Sequence, residues 1–318
     1  MLEAESSDQN GDWFMAQKVA VIGLGSMGYG IASSVRRAGH QTHGFDVNAA
    51  RVAEFVAEGG AAGDLAEIAI DLDAVVVVVL NAAQTEDVLF GAEGVVPKMK
   101  PGSVVLACAT VPPEVARDLA ARALANGVHY LDGPISGGAA KAAMGQLSVM
   151  ASGSTATFAA ARPVLDAMAE TVFELGETAG AGSAMKAVNQ MLAGVHIAAM
   201  AEALTFGMTQ GISPDEFVDV ISKCAGTSWM LENRAPHIVA GDYTPHSAVN
   251  IWLKDLGIVL DIAKADSFSA PITAAALQQF VAAAGQGFGG EDDAAVAKVY
   301  ARNAGIALPS VDRRAGRK

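Results

Sequence analysis

Gly23-Leu24-Gly25-Ser26-Met27-Gly28 has the spacing G-x-G-x-x-G, directly after the apolar run Val19-Ala20-Val21-Ile22 and at the start of an apolar-periodic stretch from Met27 to Ala38. In that setting each glycine has a task. Gly23 makes the tight turn, Gly25 lets backbone N–H groups approach a pyrophosphate, and Gly28 allows close helix–strand packing. The helix N-terminus behind the loop turns its positive end toward the phosphates. Residues 23 to 28 therefore read as a dinucleotide-binding loop. Asp46 stands at the end of the next strand-like run. A carboxylate there can accept both hydroxyls of an adenosine ribose and repels a 2′-phosphate, which favours NAD over NADP. The alternative is that Asp46 caps a helix beginning near Asn48.

A second group of residues could handle an acid substrate. Ser136-Gly137-Gly138 follows the run His129-Tyr130-Leu131, with Pro134 fixing the entry. Two glycines after a serine let backbone N–H groups converge on an oxyanion. Lys141, just downstream, either adds a charge for the substrate or covers the edge of the site. Lys186 and Asn189 are three residues apart and share a helix face. The Asn189 amide can hold a hydroxyl or carboxylate oxygen, with Gln190 as the competing neighbour. Alcohol oxidation needs a group that takes the hydroxyl proton as hydride leaves carbon. Burial of a lysine amine would favour the neutral form such a base requires, whereas a lysine near a helix start is otherwise a solvated charge.

These residues need a frame, and the pattern supplies one. Gln41–Asp46, Ala74–Leu80, Ser103–Ala107 and His129–Leu131 read as further strands, with helices over 50–58 and 115–126, and Gly39 ends the first helix. Apolar strands alternating with helices predict a doubly wound parallel sheet covered on both faces. After Gly180 the strand signal stops. A proline-free, Ala-, Met- and Leu-rich stretch from Ser183 to Thr209 reads as one long helix, and Ser213-Pro214-Asp215-Glu216 as the start of another. Helical patterns follow over 214–224, 247–265, 271–284 and 292–304. The expected organisation is a flexible extension over 1–15, a Rossmann-type NAD-binding domain over 16–178, an all-helical substrate and dimerisation domain over 179–308, and a flexible tail over 309–318.

The 318 residues carry 21 Lys+Arg against 34 Asp+Glu, a formal charge of −13. That sign disfavours nucleic acid and anionic membrane as partners and leaves a small molecule as the default. With 52% hydrophobic and 17% charged residues, the chain can bury a large core, which excludes overall disorder. Cys108 and Cys224 are too few for a disulfide framework or a four-ligand metal site, and both read as buried apolar residues. His40, His43, His129, His196, His237 and His246 have no metal-ligand spacing, so no metal is expected. The longest wholly apolar run, Ala74–Leu80, is far too short to cross a bilayer. A cytoplasmic protein is expected, forming a homodimer or homotetramer through its long apolar helix.

Four segments in order, VIGLGSMGYG at 21–30, DGPISGG at 132–138, GAGSAMKAVNQ at 180–190 and Lys254-Asp255-Leu256, resemble the β-hydroxyacid dehydrogenases, which include 3-hydroxyisobutyrate dehydrogenase and tartronate semialdehyde reductase. The resemblance covers roughly residues 18–308. It implies NAD-dependent chemistry on a small hydroxy acid and a helical half like that of 6-phosphogluconate dehydrogenase. Carried over residue by residue, it implies that Lys186 is the catalytic acid/base, that Asn189 and Ser136 act with it on the substrate, and that Ser136, Gly137 and Gly138 cradle the carboxylate. It further implies that Thr110 and Leu80 lie on the nicotinamide side and that Lys254 reaches the cofactor. Without the family, Lys254 reads equally as a salt bridge to Asp255 or Asp261. Lys141 stands where members usually carry glycine, and Asn81 where many carry proline. With the segments at 136–153 and 228–245, the Lys141 departure points from three-carbon acids toward a longer polyhydroxy acid. Other readings on this fold are a non-catalytic NAD-binding scaffold and an imine reductase. Imine reductases usually lack the lysine.

Overall fold

The computed structural model describes residues 16–310 together with the backbone of Ser6–Ser7 and Trp13–Phe14, which pair as two short antiparallel strands. The rest of the extension expected over 1–15, and residues 311–318 of the expected tail, lie outside the described residues. The chain divides into two compact units, one running to Lys186 and one starting at Ala187.

The first unit is built on strands β1 (Lys18–Ile22), β2 (Gln41–Phe45), β3 (Ala74–Val77), β4 (Val104–Ala107) and β5 (His129–Asp132). They form one parallel sheet in the order β2-β1-β3-β4-β5. Every residue of β3 and β4 is buried, because helices cover both faces. Alternate residues serve opposite faces: Val19, Val21, Val76 and Leu106 pack in one cluster, and Ala20, Ile22, Val75 and Val105 in another. β3 is shorter than the apolar run suggests. Val78 donates to the Ile22 carbonyl at 2.8 Å and the chain then leaves the ladder toward the loop after β1.

Helix α1 (Gly28–Arg37) follows β1. Gly39 ends it with φ of 95°, a left-handed conformation that glycine adopts without steric cost. A second, three-stranded sheet, absent from the sequence expectation, contains β6 (Ile135–Ser136), β7 (Leu147–Ala151) and β8 (Ala169–Glu174). Its signal is weak because β6 has two residues and β8 has no fully buried residue.

Helix α8 (Ala181–Thr209) begins in the first unit and continues into the second. By length and composition it could span a bilayer, yet Ile197, Ala201 and Leu204 are fully buried in the core of the second unit. That unit also contains α9 (Pro214–Ile221), α10 (Trp229–Ala240), α11 (Val249–Ala265), α12 (Pro271–Ala283) and α13 (Ala297–Asn303). A capping box between Ser213 and Glu216 starts α9, as the Ser-Pro-Asp-Glu sequence implies. α10 was not expected, since Pro236 inside it removes a backbone donor and reads as a break. The cysteine expectation holds for Cys108, whose thiol burial pushes up to about 12. It fails for Cys224, which is exposed in the turn after α9.

Candidate active site

The glycine loop is shaped by close approaches that a side chain would block. A Cβ on Gly23 would lie 2.3 Å from the Val78 carbonyl oxygen, and one on Gly28 1.7 Å from the Gly23 carbonyl oxygen. Around Gly25 nothing lies within 4 Å of such a Cβ, so its outer side is open to an approaching ligand. One turn into α1, a Cβ on Gly30 would meet the Ala143 nitrogen at 2.6 Å. Helix α6 (Gly138–Met144), which follows Ser136-Gly137, therefore packs directly on the glycine-loop helix.

Asp46 sits just after β2. Its Oδ2 accepts from Leu24 N at 2.6 Å and its Oδ1 from Asn48 N at 2.7 Å. The helix cap is Asn48, whose side chain accepts from Ala50 N. Asp46 thus braces the loop, and each carboxylate oxygen retains acceptor capacity.

Lys186, in the second turn of α8, is 8% exposed and its Nζ donates to the Ile135 carbonyl at 2.9 Å. The amine is thereby placed beside Ser136, the next residue. Gly137 and Gly138 have φ of 130° and 79°, left-handed values that turn the chain sharply after the serine. Nothing within 4 Å would meet a Cβ on Gly138, which leaves that side open. Asp132, which sequence reasoning passed over although it opens the DGPISGG segment, is fully enclosed. Its carboxylate accepts from Gly180 N, Ser183 N, Ser183 Oγ and Ser152 Oγ at 2.6–3.1 Å.

The remaining first-unit candidates are placed as follows. Lys141 points to Glu170 with a 3.4 Å ion-pair contact at the surface. Thr110 is half-buried just beyond β4. Leu80 is exposed, and its backbone N donates to Gln84 Oε1 at 2.9 Å. Asn81 caps α4 (Ala82–Phe90) by accepting from Gln84 N at 2.9 Å, which gives the departure from proline a local structural role.

In the second unit, Asn189 Nδ2 donates to Gln190 Oε1 at 2.9 Å, and the buried Gln190 amide donates to Asp255 Oδ2. Asp255 Oδ1 lies 2.8 Å from Lys254 Nζ. Gln190 and Asp255 therefore orient Asn189, and Lys254 pairs with Asp255. The sequence signal for this chain was the adjacency of Asp255 to Lys254 and of Gln190 to Asn189. Spacing gives no hint that the pairs join.

The donor set fits a dinucleotide: an open glycine, a helix N-terminus and the Asp46 carboxylate stand together at the strand ends where the order reverses from β1 to β3. A Rossmann-type unit with a buried lysine at its edge defines a nicotinamide-linked oxidoreductase. Residues 18–176 match the family model for the NAD binding domain of 6-phosphogluconate dehydrogenase, and residues 180–300 match that for the NAD-binding region of NADP-dependent 3-hydroxyisobutyrate dehydrogenase. The chain belongs to the β-hydroxyacid dehydrogenase family and is an NAD-dependent hydroxyacid dehydrogenase. It is 49% identical over 296 residues to an L-threonate dehydrogenase of Cupriavidus necator, covering 93% of this chain and 99% of the relative. An L-threonate dehydrogenase of Escherichia coli K12 is 47% identical over 294 residues, covering 92% and 96%. A crystal structure described as 3-hydroxyisobutyrate dehydrogenase from Salmonella typhimurium superposes with a TM-score of 0.84 at 49% identity, covering 89% of this chain and 99% of that one.

Proposed function

We propose that the protein oxidises L-threonate at C2 to its 2-keto acid, with NAD as the hydride acceptor and Lys186 as the general acid/base. The carrying observation is the placement of the buried Lys186 Nζ on the Ile135 carbonyl, next to Ser136. Bound at the loop Gly23–Gly28 and at Asp46, with Leu80, Thr110 and Lys254 toward its nicotinamide half, the cofactor supplies the hydride acceptor. Lys186 takes the hydroxyl proton at Nζ and returns it in the reverse direction. Ser136 and the N–H groups of Gly137 and Gly138 hold the substrate carboxylate, and the Asn189 amide holds a hydroxyl. Lys141 serves the distal hydroxyls of a four-carbon acid. The relatives named L-threonate dehydrogenase support this substrate. The Salmonella structure's description favours 3-hydroxyisobutyrate as the second reading.

The enzyme works in the cytoplasm as a homodimer or homotetramer. Exposed Val188, Leu192 and Phe206 on α8 support self-association, which light scattering on the purified protein measures. The substrate test is a panel of L-threonate, other four-carbon sugar acids and 3-hydroxyisobutyrate with NAD, and tartronate semialdehyde with NADH, read at the NADH absorbance. L-Threonate should give the highest kcat/KM. A higher value for 3-hydroxyisobutyrate or tartronate semialdehyde replaces the substrate, and NAD binding without any turnover replaces the enzyme by a scaffold.

A further inference from the structure

We propose that Asp132 is the positioning residue of the acid/base lysine, acting through the N-terminus of α8. This rests on the reading of Lys186 as the acid/base. The first N–H groups of a helix lack partners within it, and here one carboxylate takes two of the N–H groups at the start of α8. Asp132 Oδ2 accepts from Gly180 N at 2.8 Å and Ser183 N at 2.9 Å, and Oδ1 accepts from Ser183 Oγ at 2.6 Å. Ser152 completes the arrangement. Its hydroxyl donates to Asp132 Oδ2 at 3.1 Å and accepts from Gly182 N at 3.0 Å. Gly182 lets the helix start press onto the strands: a Cβ there would lie 2.6 Å from the Asp132 carbonyl oxygen and 2.3 Å from that of Met150.

One helical turn after Ser183, Lys186 reaches back to Ile135, three residues after Asp132. The opening turns of α8 are thus tied at Gly180, Ser183 and Lys186 to the four-residue stretch 132–135. That stretch leads directly into Ser136-Gly137-Gly138. The helix cannot slide or rotate without breaking several hydrogen bonds to one buried carboxylate, so the distance from Nζ to the carboxylate cradle is set by Asp132. Asp132 touches no reacting atom in this scheme. It fixes where the proton acceptor stands.

The test compares Asp132→Ala, Asp132→Asn, Ser183→Ala and Lys186→Ala with the wild type in the full-length protein. The assay uses L-threonate, or the best acid of the panel, with NAD, and kcat is expressed per titrated NAD-binding site. Asp132→Ala should lower kcat at least about thirtyfold, with the Kd for NAD changed less than about twofold, and Ser183→Ala should lower it about fivefold. Asp132→Asn should recover to within about fivefold of wild type, since its amide can turn oxygen to the two N–H groups and nitrogen to the serine hydroxyl. A merely structural role would lower Tm and yield but leave kcat per site unchanged. Asp132→Ala within threefold of wild type, or no better activity in Asp132→Asn than in Asp132→Ala, overturns the proposal. If Asp132→Ala does not fold, Ser183→Ala decides in the same way, with unchanged kcat per site counting against it. Lys186→Ala separates the two ideas: active Lys186→Ala ends the acid/base reading itself, whereas inactive Lys186→Ala beside fully active Asp132 and Ser183 variants ends only the positioning role.

Discussion

Asp46 Oδ2 accepts a hydrogen bond from Leu24 N at 2.6 Å, tying the end of β2 to the middle of the glycine loop after β1. The residue read as the ribose acceptor is therefore also the brace that holds the loop in shape. Asp46→Ser should consequently do two things at once. It should narrow the preference for NAD over NADP by removing the negative charge proposed to meet the 2′ position, and it should lower kcat/KM with NAD by about tenfold or more. A hydrogen bond to a charged group contributes about 1.5–3 kcal/mol, and 1.4 kcal/mol is about tenfold. Steady-state kinetics with both cofactors checks this, and a wild-type preference for NADP would reverse the reading of Asp46.

Replacing Lys186 by alanine should remove an interaction made at the proton in flight. The expected loss is about 10²–10⁴ in kcat, with the Kd for NAD nearly unchanged because the dinucleotide contacts are proposed at the glycine loop, away from Lys186. Stopped-flow turnover and a fluorescence titration of NAD separate the two effects. Turnover within threefold of wild type would show that another group moves the proton.

Gly25 and Gly28 should differ in how alanine affects stability. At Gly28 the new Cβ would fall 1.7 Å from the Gly23 carbonyl oxygen, so the loop must rearrange and both Tm and NAD affinity should drop. At Gly25 the Cβ meets no protein atom within 4 Å, so Tm should hold while the methyl group obstructs the ligand and weakens NAD binding by about tenfold or more. Thermal melts with and without NAD distinguish the two variants.

The His40 ring is buried, with Nδ1 3.1 Å from Gln17 N, which donates to it, and Nε2 3.3 Å from the Pro163 carbonyl oxygen. Both contacts suit the neutral ring. Burial lowers its pKa from the usual 6.5, although the Pro163 carbonyl and the charge of Asp73 act in the other direction. The unfolded chain therefore takes up a proton more readily than the folded one, so the stability linked to this ring is present above pH about 6.5 and is lost as pH falls through the folded value. Burial lowers His43 in the same sense. Tm should fall between pH 7 and pH 5, and His40→Phe should flatten that slope while lowering Tm at pH 7. An unchanged slope in the variant would remove His40 as its source.

Asn81 should act on stability alone. Its side chain caps α4 from an extended conformation with φ of −153°, far from the value near −65° that proline requires. Asn81→Ala should cost about 1 kcal/mol through loss of the cap. Asn81→Pro should cost more, because the backbone must also move. Denaturant titration gives both values, and a proline variant more stable than alanine would contradict this account.

Features that depend on a few neighbouring residues were readable along the chain. The glycine loop was legible because turning, close approach and tight packing are demands on single backbone positions. The parallel sheet was legible in the short apolar runs of β3 and β4, and the predominantly helical character of the described residues after Gly180 in the loss of the strand signal. Periodicity could not show the two-residue β6, the solvent-facing β8 or the proline-containing α10, since their signals are short or contradicted locally. It takes the folded chain to bring Asp132 to Ser183, from which it accepts 51 residues later, and Gln190 to Asp255, to which it donates 65 residues later. Lys186 likewise meets a main-chain carbonyl, a partner every residue possesses. Such bonds form where distant segments return to the same place, and no residue type or spacing along the chain records which return occurs.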